Sequence, residues 1–169
     1  MSETRFRLIR HAPALTGGAL AGRRDVDVDL SAVGGTDDLP SDAAWVASPL
    51  HRAWATAEAL GAPPSLHADR DLMEQAFGAW EGRTPAVLEA EAPAAWWAFW
   101  ADPAANRPPA GESFHAVCAR VAAALDRLAS GGEVVIVAHA GTVRAALAAA
   151  LDVAPDVVLR VAVDPLART

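Results

Sequence analysis

Five residues of the 169-residue chain have side chains that together could bind a phosphate group and act on it. They are Arg10 and His11 in "RFRLIRHAPA", Arg52 in "WVASPLHRA", Glu74 in "DLMEQAFGAWEG" and His139 in "VVIVAHAGT". Arginine and histidine at the end of an apolar run repel one another unless an anion lies between them. A lone carboxylate beside such a cluster is suited to acid–base catalysis. The pattern indicates an anion site with a proton donor at its edge.

The same five residues fall where predicted strands end or where the following helices begin. Ligands of open parallel sheets gather beyond the carboxyl ends of the strands, so we expect all five along one edge. The small-residue turn after His139 opens a helix, whose first backbone N–H groups, those of Ala140 and Gly141, add donors for an anion.

Strands and helices alternate along the sequence. Apolar runs predict strands at Phe6–Ile9, Trp45–Ala47, Ser65–His67, Val134–Ala138 and Val157–Val163. Helical patterns fall at Leu50–Leu60, Thr84–Glu91, Ala94–Trp100, Ser113–Leu128 and Gly141–Leu151. This alternation predicts a single α/β domain over residues 1–169, a three-layer α/β/α sandwich around a mostly parallel sheet.

The first crossover is unusual. The stretch "GGTDDLPSD" stands where a helix is expected, yet it contains Gly34, Gly35 and Pro40. These residues disfavour a helix, so the first crossover helix is expected to be very short or absent. One sheet face is then poorly covered unless another segment or a partner subunit packs on it, which makes a homodimer a candidate assembly. The chain also ends soon after the last predicted strand, so whether its C-terminus is truncated is left open.

Composition narrows the possible partners and the compartment. The net charge of −7 and the isoelectric point near 5.1 argue against nucleic-acid binding, which needs a basic face. We expect no membrane partner, because no apolar stretch approaches the length of a span and no signal sequence follows Met1. The single cysteine, Cys118, excludes an internal disulfide, so a cytoplasmic location is expected.

Other chemistries fit the sequence less well. A zinc site built on His11 and His139 would lie beside guanidinium groups, which disfavour a dication. A cysteine phosphatase loop needs an arginine six residues after Cys118, where the chain has Ala124. The acidic run "DVDVD" follows "GRR" rather than an apolar strand, so we interpret it as a solvated loop. No G-x-S-x-G or P-loop pattern is present.

Five stretches, in this order, resemble the histidine phosphatase superfamily, with its phosphoglycerate-mutase-like fold. They are "LIRHAP", "ASPLHRAWATAEAL", "LMEQAFGAWEGR", "AGESFHAV" and "VVIVAHAGTVRAAL". The resemblance implies that His11 is a nucleophile that becomes phosphorylated and that Glu74 is the general acid. Arg10, Arg52 and the catalytic His139 would clamp the phosphoryl oxygens, with the Ala140 N–H as a further phosphate donor.

Substrate contacts are less defined. Arg23 or Arg24, in "AGRRDVDVDLS", falls where family members often place an arginine near the substrate, and which of the two corresponds is ambiguous. Glu81 is expected beside the substrate, ordering its loop by capping backbone donors. The cluster "AAWWAFW" is either ordinary helix packing or a wall of the site, in which case Trp97 and Trp100 contact the substrate.

The sequence departs from the family pattern just after the nucleophile. The usual "RHG" is "RHA" here, and Pro13, Ala14 and Gly17 replace polar residues that many members have. These changes weaken a mutase assignment, while "E-x-x-F-G-x-W-E-G" resembles the phosphatase branch, including α-ribazole phosphatases. We therefore expect a phosphomonoesterase that uses a phosphohistidine intermediate and no metal or cofactor, with a small phosphorylated metabolite as substrate. A phosphoglycerate-type mutase and a catalytically silent phosphate-binding module are the alternatives.

Overall fold

A four-stranded parallel sheet forms the centre of the computed structural model, which describes residues 3–35 and 38–169. The strands are β1 (Thr4–Arg10), β2 (Ala44–Ala47), β3 (His67–Ala68) and β4 (Gly132–Ala138). Their order in the sheet is β1-β4-β2-β3, and each neighbouring pair is parallel. The predicted α/β architecture is confirmed. The third strand, predicted at Ser65–His67, is observed at His67–Ala68, so it begins two residues later.

Six α-helices connect and cover the strands. They are α1 (His51–Ala59), α2 (Pro85–Glu91), α3 (Pro93–Ala101), α4 (Phe114–Leu128), α5 (Ala140–Leu151) and α6 (Pro155–Val158), with single 3₁₀ turns at Arg70–Leu72 and Gly78–Trp80. The hydroxyl groups of Thr84 and Ser113 cap α2 and α4 by accepting hydrogen bonds from Val87 N and Ala116 N. All five predicted helices are present within one or two residues.

Alternating strand residues build two apolar layers, as the two-residue period of a strand requires. On one face Leu8, Val134 and Ile136 pack under α4 and α5. On the other face Ile9, Val135 and Val137 pack under α1. Both faces of the central strand β4 are therefore buried, which explains why "EVVIVA" is apolar throughout.

The first crossover has no helix in the described residues between β1 and β2, as predicted. Thr36 and Asp37, part of "GGTDDLPSD", lie outside the described residues. Val33 and Leu39 from this long loop pack with α1 against the sheet face that a crossover helix would otherwise cover. Another segment of the chain therefore contributes to covering this face.

The predicted strand at Val157–Val163 is wrong. Pro155 instead opens the short helix α6, where its fixed backbone angle and missing N–H suit the first helical position. Val158 is buried in the core, whereas Val157 and Val161 are exposed, so the run does not have the burial of a central strand.

A C-terminal strip, Leu166–Thr169, pairs with the outer edge of β1 in place of the predicted strand. Leu8 N donates to Thr169 O at 2.8 Å, and Thr169 N donates back to Leu8 O at 2.9 Å. Further along the strip, Arg10 N donates to Ala167 O at 3.1 Å, and Leu166 N donates to Arg10 O at 3.0 Å.

Among the described helices, none combines the length and the apolar character needed to cross a lipid bilayer.

Candidate active site

His11 follows β1 directly and is 5% exposed. Its backbone N–H donates to Ala138 O at 2.9 Å, which ties it to the end of β4. Its ring Nδ1 lies 2.6 Å from Ala12 O, a carbonyl that can only accept a hydrogen bond. The proton of the neutral ring therefore belongs on Nδ1, and Nε2 keeps its lone pair. Ala12, in place of the family's glycine, is fully buried, and its N–H donates to Thr56 Oγ1.

Burial lowers the pKa of His11 from 6.5 to about 4. The hydrogen bond to Ala12 O acts in the opposite direction, and the charges of Arg52 and Arg10 lower the pKa further. The imidazole is therefore neutral at physiological pH, the state that a nucleophilic nitrogen requires.

Arg52 lies in the first turn of α1 and is only 1% exposed. Its Nε donates to His11 Nε2 at 3.3 Å. Its two terminal nitrogens donate to Arg24 O at 2.9 Å and to Gly22 O at 2.7 Å. The loop carbonyls thus fix the plane of the guanidinium beside the imidazole. Because a guanidinium has five N–H groups, some of them remain available to bind an anion.

His139 ends β4 and precedes α5, and its ring centre lies 5.1 Å from that of His11. Its Nε2 lies 2.7 Å from Ser48 Oγ. Burial, followed by the charge of Arg52, holds the pKa of His139 well below its ordinary value. Within the described part of the chain, His139 Nδ1 and Arg10 Nε are buried nitrogens without a hydrogen-bond partner. Arg10 Nε–H is a donor, and His139 Nδ1 is one as well when the Ser48 hydroxyl donates to Nε2, so together they point to an anionic ligand.

Glu74 approaches this cluster from the loop between the two 3₁₀ turns. Its carboxylate accepts hydrogen bonds from Gln75 N at 2.9 Å and from Gly141 N, in the first turn of α5, at 3.3 Å. A Cβ on Gly141 would lie 2.2 Å from Glu74 Oε1, so only glycine allows this approach. The carboxylate therefore lies at the N-terminus of α5, beside Ala140, where the helix favours negative charge.

A cavity of about 320 Å³ opens over these groups. Arg10, His11, Arg52 and Glu74 line one part of it. The remaining lining is uncharged: Pro13, Ala14, Thr16, Ala19, Leu20, Ala21, Gly22, Phe77 and Pro165. Four of the five predicted side chains therefore meet at one opening, and the fifth, the fully buried His139, lies next to His11 without lining the cavity. Nowhere in residues 3–35 and 38–169 do three His, Cys, Asp or Glu side chains gather as a metal site would require.

Two carboxylates join the loop that holds Arg52 to the loop that carries Glu74. Glu81 Oε1 accepts hydrogen bonds from Arg23 N and Phe77 N, both at 3.0 Å, which is the backbone capping expected for Glu81. Glu112 accepts from Ala76 N and from the Arg23 side chain, both at 3.3 Å. Glu112 is also paired with Arg120 of α4 at 2.8 Å.

Sequence reasoning assigned no role to several of these partners. Ser48 and Glu112 lie inside the matching stretches "ASPLHRA" and "AGESFHAV", which was the available signal. Thr56 lies further along the same stretch, "ASPLHRAWATAEAL", whereas Arg120 lies on a helix face with no distinguishing pattern.

The predicted substrate residues do not line the His11 cavity. Arg23 borders a separate depression that also includes Arg70 and Arg120, and Arg24 borders another behind the loop. Trp97 and Trp100 are 58% and 49% exposed on α3. Their contact with substrate stays a prediction.

The rest of the aromatic cluster belongs to a small core. Trp96 and Phe99 are buried with Trp80, and Leu20 and Phe77 of the cavity wall pack against them. The cluster is therefore partly ordinary packing, and it supports one wall of the site indirectly.

Residues 7–169 match the family described as histidine phosphatase superfamily (branch 1), and the chain belongs to this family. A bifunctional protein of Mycobacterium tuberculosis is 39% identical over 127 residues, which cover 72% of this chain but 35% of that protein. The chain therefore spans about a third of the length of this relative. A glucosyl-3-phosphoglycerate phosphatase of M. tuberculosis is 33% identical over 174 residues, covering 89% of this chain and 76% of the relative.

Solved structures agree with this placement. A mycobacterial glucosyl-3-phosphoglycerate phosphatase in complex with VO₃ is similar at a TM-score of 0.81 and 26% identity, over 96% of this chain and 90% of that one. The α-ribazole phosphatase from Shigella flexneri has a TM-score of 0.86 at 24% identity, over 96% and 87% of the two chains. The second likeness shows the fold alone.

Proposed function

We propose that the chain is a phosphomonoesterase that hydrolyses small phosphate esters through a phosphohistidine on His11. One observation carries the proposal: a buried, neutral imidazole has Nδ1 fixed by a backbone carbonyl and presents Nε2 to Arg52 at 3.3 Å. Beside this imidazole, Arg10 Nε and His139 Nδ1 are buried without a hydrogen-bond partner among the described residues, which supports an anion as the missing partner. The phosphatase names of the relatives support the same class of reaction.

In the first displacement, the phosphoryl group binds between Arg10, Arg52 and the N–H of Ala140. The buried donors on Arg10 and His139 then gain oxygen partners, and the arginines offset the charge on the equatorial oxygens. His11 Nε2 attacks phosphorus in line as the ester P–O bond breaks. The protonated carboxyl of Glu74 gives its proton to the leaving oxygen.

In the second displacement, the Glu74 carboxylate takes a proton from a water molecule. The water oxygen attacks phosphorus, and the P–N bond breaks. Inorganic phosphate leaves and Nε2 regains its lone pair, so the cycle returns the starting protein. The chain's own arginines supply the positive charge in this scheme, which uses no metal ion.

Hydrolysis fits the cavity better than intramolecular transfer. A mutase must hold and reorient a phosphorylated intermediate, which calls for polar contacts around the leaving group. Here Pro13 and Ala14 line the cavity directly after the nucleophile, where many family members have polar residues. The silent-module alternative is disfavoured because two arginines, His11 and one carboxylate line one opening, with the buried ring of His139 5.1 Å from that of His11.

The test is phosphate release from p-nitrophenyl phosphate in the presence of a chelator. His11→Ala should lower turnover by roughly 10⁴-fold or more while the circular dichroism spectrum stays the same, because the nucleophile is gone. His115→Ala is the matched control, since His115 is exposed on α4 and does not line the cavity over His11.

Acid-labile, base-stable phosphate on the wild-type protein, absent from His11→Ala, would identify the intermediate. A folded His11→Ala protein with near-normal activity would refute the assignment. Efficient transfer on phosphoglycerate with negligible phosphate release would favour the mutase instead.

A further inference from the structure

We infer that Arg120 and Glu112, which have no direct part in the chemistry, are positioning residues that fix Glu74 relative to Arg52. The inference rests on the proposed function, because it assigns these residues through the acid role of Glu74. Both side chains are largely buried, with 14% and 15% exposure, and form an ion pair.

The backbone around Glu74 has little regular structure to hold it. Glu74 lies between the 3₁₀ turns Arg70–Leu72 and Gly78–Trp80, outside any helix or strand. Backbone groups of such a segment must find partners elsewhere. Arg120 supplies two of them: Nη1 donates to Asp71 O at 2.6 Å, and Nη2 donates to Glu74 O at 3.2 Å.

Glu112 holds the other side of the same segment. Its Oε2 accepts from Ala76 N, and its own backbone carbonyl accepts from the Gln75 side chain at 2.7 Å. Although burial alone would raise the pKa of Glu112, the hydrogen bond and charge of Arg120 lower it. Glu112 is therefore a carboxylate at neutral pH, and it fixes the guanidinium of Arg120 in the orientation that reaches Glu74.

The same pair extends to the phosphate clamp. Glu112 Oε2 also accepts from the Arg23 side chain at 3.3 Å. Arg23 lies between Gly22 and Arg24, whose carbonyls accept hydrogen bonds from the guanidinium of Arg52. One carboxylate thus joins the segment that carries the acid to the segment that orients the clamp. The separation of acid and phosphate is set through Glu112 and Arg120.

The experiment compares Arg120→Met with Arg127→Met. Arg127 is also on α4 and pairs with Asp69 and Asp71 of the adjacent turn, but it contacts neither Glu74 nor Glu112. Each variant is assayed with an alkyl phosphate, which needs a proton on its leaving group, and with p-nitrophenyl phosphate, which does not. The nitrophenol burst reports the first displacement separately from turnover.

Arg120→Met should lower kcat on the alkyl phosphate by about tenfold to a hundredfold, as expected for a misplaced catalytic group. Its nitrophenol burst rate should stay within about threefold of wild type, since that step needs no acid. Arg127→Met should behave like wild type with both substrates. Glu112→Gln should lose activity on the alkyl phosphate as Arg120→Met does and should also slow the nitrophenol burst, because Glu112 additionally holds Arg23 beside the Arg52 clamp. Arg120→Lys should recover only part of the loss, because lysine reaches fewer acceptors than arginine.

A double variant tests whether Arg120 acts through Glu74. Added to Glu74→Gln, Arg120→Met should cause little further loss on the alkyl phosphate, because the group it positions no longer transfers a proton. Full additivity of the two losses would overturn the inference. So would equal losses on both substrates in Arg120→Met and in Arg120→Lys, which would mean a structural role alone.

Failure of the proposed function would look different. In that case wild-type protein would form no acid-labile phosphate on His11, and Glu74→Gln itself would leave alkyl-phosphate hydrolysis unchanged. If those two results come out as proposed and Arg120→Met matches Arg127→Met, the positioning inference alone is wrong.

Discussion

The two halves of the candidate site are built by different means. One half follows the ends of adjacent strands: Arg10 and His11 follow β1 and His139 follows β4, which pairs with β1 through residue 138. The other half is Glu74, which lies on a loop held by side chains such as Arg120 and by Gly141 N. Arg52 belongs to both halves, because it donates one hydrogen bond to His11 and others to loop carbonyls.

The two halves of the site therefore depend on different kinds of structural support. Backbone pairing places the nucleophile and its anion donors at the strand ends, and side-chain contacts such as Arg52 Nε to His11 Nε2 and His139 Nε2 to Ser48 Oγ orient them there. The acid depends on a few hydrogen bonds and ion pairs, each replaceable by a single substitution. Substitutions in the loop half should therefore alter catalysis selectively, whereas substitutions at the sheet edge should abolish it or disturb the core.

Replacing the acid should separate the halves most clearly. Glu74→Gln should lower alkyl-phosphate hydrolysis by roughly 10²- to 10⁴-fold, because the alkoxide leaves without a proton. With p-nitrophenyl phosphate, stopped-flow absorbance should show a rapid burst of about one nitrophenol per site, then slow turnover as phosphohistidine waits for a base. Unchanged alkyl-phosphate hydrolysis would move the acid role elsewhere, with Glu81 as the next candidate.

Replacing Arg52, the residue that belongs to both halves, should give the next largest loss of activity. Lysine cannot copy the planar contacts of Arg52 to His11 and two carbonyls. Arg52→Lys should lower kcat/KM by about 10²- to 10³-fold, the scale for losing a transition-state donor. Steady-state kinetics on several esters should show a similar loss for each. A loss confined to one ester would place Arg52 in a specificity pocket.

The sheet half can be probed by titration. Since burial lowers the pKa of His11 from 6.5 to about 4, nitrogen-15 NMR of the free protein should show a neutral ring at pH 5.5. The unfolded chain binds this proton more readily, so the free energy of unfolding should fall as pH drops from about 6.5 toward 4. Arg52→Met should raise the pKa of His11 by removing a neighbouring charge. A His11 pKa at or above 6.5 in wild type would contradict the buried, neutral ring.

Changes outside both halves should have the smallest effect. Trp97 is 58% exposed and does not line the cavity. Trp97→Ala should leave kcat/KM and the melting temperature nearly unchanged. Its free energy of unfolding should change by no more than about 0.5 kcal/mol, as is usual for surface positions. Trp96→Ala, the buried comparison in the same helix, should destabilise the fold by about 3 kcal/mol or more. A changed ranking of phosphate esters in Trp97→Ala would instead make α3 a wall of the substrate site.

The sequence predicted the sheet half better than the loop half, for a physical reason. Apolar runs with a two-residue or all-buried pattern mark β1 and β4, and their ends place Arg10, His11 and His139 together. The contacts of Glu112 and Arg120 follow no period, because Glu112 joins two loops across 36 positions and Arg120 joins α4 to a loop across 46 and 49 positions. The strand predicted at Val157–Val163 failed because β-branched composition outweighed the helix-starting Pro155.

The C-terminal strip has a consequence for self-association. β1 is an outer strand, and an unpaired outer strand offers its backbone groups to strands of other molecules. Leu166–Thr169 occupies that edge opposite Leu8 and Arg10. Removing the strip would therefore expose, on the strand that carries the nucleophile, a template for intermolecular β-sheet growth, and aggregation would accompany any loss of activity.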